Sequence, residues 1–204
     1  MFKQIFNMTQ IISILKRWRL IFFAIFFFLC LVQVYISLKG ESPLFQRFEV
    51  DPSLDLITFQ STITPFAMLY PQGWQAQNVL YGNHGDLEVI GLIRSHKFNS
   101  PIIEIAHKKN WQSNLEQVAE WGKTRLITKS DGVWLSTPLT EKHINKQIAL
   151  FRIFYQESGL YPLCYHTYLF KGQDAYTVQM CMNKNNRSTE LEDLFTQMIQ
   201  SITY

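Results

Sequence analysis

The sequence predicts an α+β protein in which an N-terminal transmembrane helix is followed by an antiparallel sheet flanked by helices. Three observations predict it. Residues 20–38 run for 19 positions without a charge. Short segments of alternating apolar residues then recur, and the last two face each other across Gly172-Gln173. Two further segments carry apolar residues at helical spacing behind a capping serine or threonine.

Composition sets the bounds. The chain has 204 residues, 47% of them apolar and 15% aromatic, enough to bury a core beside one membrane segment. Its net charge of +3 is unevenly placed, because Lys3, Lys16, Arg17 and Arg19 precede residue 20 with no acid among them. The remainder holds 15 Lys and Arg against 16 Asp and Glu, a net of −1. A near-neutral domain lacks the basic footprint of a nucleic-acid binder, so no nucleic-acid partner is expected.

The first element is the segment "LIFFAIFFFLCLVQVYISL", residues 20–38. At ~1.5 Å per residue it nearly spans a hydrocarbon core of ~30 Å. Trp18 and Tyr35 sit near its ends, where aromatic belts form, and the membrane-interface residues are read as Lys16, Arg17, Trp18, Arg19 and Tyr35. The basic cluster before the segment places the N-terminus in the cytoplasm and the following domain outside it. The competing reading is a cleaved signal peptide, but the apolar run exceeds the usual ~7–15 residues and no A-x-A site follows. The lipid bilayer is therefore an expected partner. Residues 1–15 place Phe2, Ile5, Phe6, Ile12 and Leu15 on one helical face, as an interfacial helix would; a frayed tail is the alternative. The resulting organisation is a cytoplasmic segment 1–19, a transmembrane helix 20–38, a juxtamembrane linker 39–60 and an extracytoplasmic domain 61–204.

The domain opens with "TPFAMLYPQGW", residues 64–74. Phe66, Met68 and Tyr70 alternate with Ala67 and Leu69, as in a strand buried on both faces, and Pro71 and Gly73 end it. Residues 87–94 and 102–107 are the next strands. Residues 113–121 form a helix with a Ser113–Glu116 capping box, and Gly122 is placed to stop it. A hairpin about Asp131-Gly132 and a strand over 147–155 follow.

The hairpin over 160–182 is the most specific unit. A two-residue turn at Gly172-Gln173 puts Tyr161, Leu163, Tyr165 and Leu169 on one face with Tyr176, Val178, Met180 and Met182. The other face carries Cys164, His166 and Tyr168 with Thr177, Gln179 and Cys181. The last helix starts near Ser188 or Thr189, and Leu191, Leu194, Phe195, Met198, Ile199 and Ile202 give it an apolar stripe that packs on a sheet.

The same register sets Cys164 opposite Cys181, a candidate disulfide in an oxidising compartment. Two free buried thiols are the alternative. A third reading joins His166 to the pair as a metal trio, although a closed zinc site usually needs four ligands. His84, His96, His107 and His143 are scattered singly, and the tryptophans at 74, 111, 121 and 134 read as packing residues. Asn186-Arg187-Ser188 is a glycosylation sequon. No G-x-S-x-G, H-E-x-x-H or C-x-x-C motif occurs in the chain. Neither catalytic residues nor a cofactor is expected, and the chain is read as a non-enzyme.

The strand ending "LYPQGW", the helix "SNLEQVAEWG", the hairpin "YHTYLFKGQDAYTVQM" and the helix ending "LFTQMIQSI" resemble, in this order, the PsbP/Mog1-like superfamily. The resemblance covers residues 60–204 and implies an α/β/α sandwich around an antiparallel sheet. Members of that superfamily are mostly non-enzymatic; some are extrinsic proteins assisting photosystem II, and another binds a nuclear GTPase. It implies a binding, accessory or assembly subunit of a membrane complex, a photosynthetic one included, with an integral-membrane or membrane-complex protein as partner. The alternative is a small-ligand or metal-binding extracytoplasmic sensor domain. No ligand residue is carried over.

Overall fold

The computed structural model describes residues 18–19, 21–23, 25–32, 34–35, 48–51, 54–79, 88–97, 99–128, 132–157, 159 and 161–204. The chain divides into two compact units, Met1–Gln46 and Arg47–Tyr204.

In the first unit the described positions from Trp18 to Tyr35 are helical, and Ile21, Phe22, Phe23 and Phe26–Leu29 are all at least half exposed. Among the described residues no helix is long and apolar enough to cross a membrane. The expected span includes positions 20, 24, 33 and 36–38, which lie outside the described residues, as do Lys16, Arg17 and the expected interfacial helix over 1–15.

The second unit is α+β. Strands β3 (Trp74–Gln77), β4 (Glu88–Ser95), β5 (Ile102–Lys108), β6 (Leu135–Ser136), β7 (Thr140–Ile144), β8 (Gln147–Tyr155), β9 (Leu163–Lys171) and β10 (Asp174–Met182) form an antiparallel sheet. Its order is β3-β4-β5-β10-β9-β8-β6, with β7 also pairing with β8. Two α-helices are described in this unit, α1 (Leu115–Thr128) and α2 (Thr189–Gln200), with a 3-10 turn over Lys184–Asn186. Val118, Ala119 and Leu126 of α1 pack on one sheet face with Leu150, Phe154, Cys164, Tyr168 and Ala175. The other face buries Ile103, Ile105, Tyr165, Tyr176, Val178 and Met180 beneath the apolar stripe of α2.

The central hairpin has the register read from its turn: Gly172 takes φ +62 and Cys164 pairs with Cys181. Ser188 caps α2, its hydroxyl accepting from the Leu191 N–H at 3.2 Å.

Four expectations are corrected. Part of the stretch read as linker, Leu56–Gln60, is strand β1, which pairs with β2 (Ala67–Pro71) as a separate two-stranded ribbon. Phe59 is buried there, and Phe48 packs edge-on against Trp74 at 5.8 Å, so the compact unit begins before residue 61. The opening strand of residues 64–74 is therefore the second of the chain. Next, α1 is capped by Asn114, whose Oδ1 accepts from the Gln117 N–H at 3.0 Å, in place of the Ser113–Glu116 box. The helix also runs through Gly122 to Thr128. A Cβ there would lie 2.6 Å from Tyr168 Cε1, so the glycine permits close approach of helix to sheet and does not stop the helix. Finally, this extension removes the expected hairpin about Asp131-Gly132; Asp131 lies outside the described residues. The tight turn in this region is Asn145-Lys146 between β7 and β8, with φ of +47 and +66.

Candidate functional site

The polar residues that sequence placed on one face of the hairpin are roofed by α1. Antiparallel pairing sets Glu104 (β5), Gln179 (β10), His166 (β9) and Arg152 (β8) in one row across the sheet. Residues directly opposite share a face. Thr177 and Tyr168 stand in the adjoining row on one side, Cys181 and Cys164 in the row on the other. Cys164 and Cys181 are joined as a disulfide with Cα atoms 4.1 Å apart.

Two guanidinium groups flank this layer. Arg125 of α1, only 6% exposed, donates through Nη1 to Thr177 Oγ1 at 3.1 Å and through Nη2 to Glu104 Oε1 at 2.5 Å. Its guanidinium lies 5.4 Å from the Trp121 ring centre. Arg152 donates to Glu120 Oε1 of α1 at 3.3 Å. Hydrogen bonding from Lys123 is the main influence that holds the Glu120 carboxyl below its usual range.

His166 sits between them with no exposed surface. Among the described residues neither ring nitrogen has a hydrogen-bond partner, and neither does the Tyr168 hydroxyl. Leaving such a group unpaired costs about 1–3 kcal/mol. Burial, reinforced by the charges of Arg125 and Arg152, pushes His166 down to about 3, so the ring is neutral near pH 7. Its aromatic neighbours are Phe154, edge-on at 4.8 Å, and Tyr168 at 5.8 Å. The donor atoms of Cys164, His166 and Cys181 all lie within 4.8 Å of one another.

The remaining polar sites are structural. His107 is buried, stacked on Tyr176 at 4.8 Å, with Nε2 3.0 Å from Asp174 Oδ1. Tyr165 Oη donates to Glu192 Oε1 at 2.6 Å. Burial and this bond raise the tyrosine; burial opposes the Glu192 charge, yet the bonds from Tyr165 and Arg187 hold that carboxyl low. Asn186 is 1% exposed: its Oδ1 accepts from the Phe48 N–H at 2.8 Å and its amide donates to Asn99 O. The acceptor asparagine of the sequon is thus part of the interior, whereas Arg187 is exposed. Two surface grooves are of opposite character. One of about 360 Å³ is lined by Arg94, His96 and Lys97; one of about 230 Å³ sets Asp51, Glu190 and Asp193 around Leu56 and Leu194.

Of the sequence-derived site residues, the structure brings Cys164 and Cys181 together. Trp18, Arg19 and Tyr35 are exposed helical positions of the first unit. His84 and Gly82–Gly85 lie outside the described residues; His96 and His143 are exposed. Sequence reasoning missed Arg125, Arg152 and Glu104. Arg152 was within reach, since pairing β8 with β9 puts it opposite His166.

No protein-family profile and no curated protein matches the chain. Among solved structures, cyanobacterial PsbP (CyanoP) from Synechocystis sp. PCC 6803 is similar with a TM-score of 0.56 and 13% identity, over 79% of this chain and 99% of that one. A crystal structure from Bacteroides thetaiotaomicron has 14% identity and a TM-score of 0.45 over 72% of this chain and 47% of its own, and carries no weight. The first likeness concerns the fold alone. An antiparallel sheet with α1 on one face and α2 on the other, matching nearly the whole of CyanoP, gives this chain a PsbP-like fold.

Proposed function

We propose that this chain is a non-catalytic, single-pass membrane protein. Its PsbP-like domain serves on the extracytoplasmic side as a binding, accessory or assembly subunit of a membrane complex, and a photosynthetic membrane is one host to test. The observation that carries the reading is the combination in one chain of a PsbP-like fold and a 19-residue uncharged run behind a basic cluster. The exposed phenylalanines among the described positions of that run support it, because such a surface is stable in lipid and costly in water. A tether also raises the local concentration of the domain at the membrane, which suits a weak docking module.

Crosslinking mass spectrometry on native membranes tests the reading. The expected result is recovery in the alkali-resistant membrane fraction, with domain lysines such as Lys97 or Lys142 crosslinked to a defined membrane protein. A chain that washes off at alkaline pH, or that crosslinks only within itself, defeats it.

A further inference from the structure

We infer that, when the hairpin disulfide is reduced, Cys164, Cys181 and His166 form a three-coordinate site for a soft monovalent cation of the Cu(I) class. This inference is independent of the membrane-subunit reading. Three facts carry it. The donor atoms already lie within 4.8 Å of one another. Ligands about 2.3 Å from a common centre at trigonal angles stand about 4 Å apart, so side-chain rotation alone closes the set once the sulfurs separate. Both nitrogens of His166 are fully buried and have no hydrogen-bond partner among the described residues, so the lone pair of the neutral ring is free to ligate.

The ligand chemistry selects the ion. Two thiolates and an imidazole are soft and borderline donors, which favour Cu(I) and zinc. A closed zinc site prefers a fourth ligand, and among the described residues no other His, Cys, Asp or Glu joins this group. Two thiolates with one monovalent cation carry one net negative charge. Arg125 and Arg152 stand against the same layer and offset part of it, each being also paired with a carboxylate, Glu104 and Glu120. Trp121 of α1 and the sheet residues Phe154 and Tyr168 surround the layer with apolar surface, and a low local dielectric strengthens that attraction.

A dithiol supplies the two electrons for reduction. A reductant thiolate attacks the Cys181 sulfur, the less buried of the two, and the electron pair of the broken S–S bond leaves on Cys164. The second reductant thiolate attacks the mixed disulfide, frees the Cys181 thiolate and departs as the reductant's own disulfide. Binding of the cation then replaces the two thiol protons. The disulfide and the metal site are exclusive states of the same two sulfurs.

The test uses the full chain in detergent with Cys30→Ser, which removes the exposed free thiol. The chain is reduced with a phosphine, which leaves as its oxide, then desalted without oxygen and titrated with Cu(I) against a chromophoric copper chelator. The expected result is a single Cu(I) per reduced chain and none per oxidised chain. X-ray absorption at copper should read two sulfurs and one nitrogen. His166→Gln should weaken binding roughly tenfold or more while leaving the oxidised fold intact by near-ultraviolet circular dichroism. If that variant does not fold, the absorption spectrum of the Cys30→Ser chain decides. Sulfur-only coordination, no binding by the reduced chain, equal binding by the oxidised chain, or reduced protein that stays unfolded with copper present overturns the proposal.

Discussion

Gly122→Ala should destabilise the domain although it improves the helix. Within a helix, Ala is favoured over Gly by about 1 kcal/mol. Here the added methyl meets Tyr168 Cε1 at 2.6 Å and Thr177 Cγ2 at 3.0 Å. Tyr168 has no exposed surface, and its ring is flanked by His166 at 5.8 Å, so it has no free space into which to turn. Forcing a methyl this close to a fully buried ring costs toward the upper end of the usual overpacking range, about 2–3 kcal/mol. The helix-propensity gain offsets part of this, leaving a net loss of about 1–2 kcal/mol, which for a domain of this size lowers the melting temperature by about 2–8 °C. Thermal unfolding of the full chain followed by circular dichroism measures it. An unchanged or higher melting temperature would refute the close approach of α1 to the sheet and, with it, the sealing of the polar layer.

Three more expectations follow from the same interior. Removing the disulfide with Cys164→Ala/Cys181→Ala should cost about 3 kcal/mol, the loop-closure value for a separation of 17 residues, read as a lower urea midpoint with little change in slope. His166 is neutral in the fold and takes a proton more readily when unfolded, so its contribution is full above about pH 6.5 and is lost as pH falls toward its folded value of about 3. The loss is about 1.4 kcal/mol per pH unit within that window, and the stability of His166→Gln should vary less between pH 6.5 and 4.5 in urea titrations. Asn186→Ala should cost about 1–3 kcal/mol, because it leaves the buried Phe48 N–H without its acceptor, and should expose residues 48–51 to limited proteolysis.

Legibility in the sequence followed local rules. The hairpin over 163–182 was readable because Gly172 marks its turn and the alternation after it has a single consistent register. Helix α2 was readable because a cap and an unbroken apolar stripe coincide. Where long-range packing overrode a local signal, reading failed. Gly122 looks like a helix stop, yet it is mid-helix because of a tyrosine 46 positions later in the chain. Strand β1 has charged neighbours and no sustained period, and it is a strand because β2 pairs with it. The turn at Asn145-Lys146 carries lysine where glycine is the usual signal. For the polar layer, the hairpin half was visible but the roof was not, since Arg125 reaches Thr177 and Glu104 only after α1 extends past Gly122.

Ser188 ties together two matters that sequence treats separately. It completes the Asn186-Arg187-Ser188 acceptor and it caps α2. A glycan added to Asn186 before folding would occupy the amide that bridges Asn99 and would have to enter a position only 1% exposed. Production through a glycosylating secretory pathway would therefore trap the chain unfolded. Silencing the acceptor with Ser188→Ala would exchange that fault for an uncapped helix, whereas Ser188→Asp abolishes the acceptor and keeps a side-chain oxygen for the Leu191 N–H.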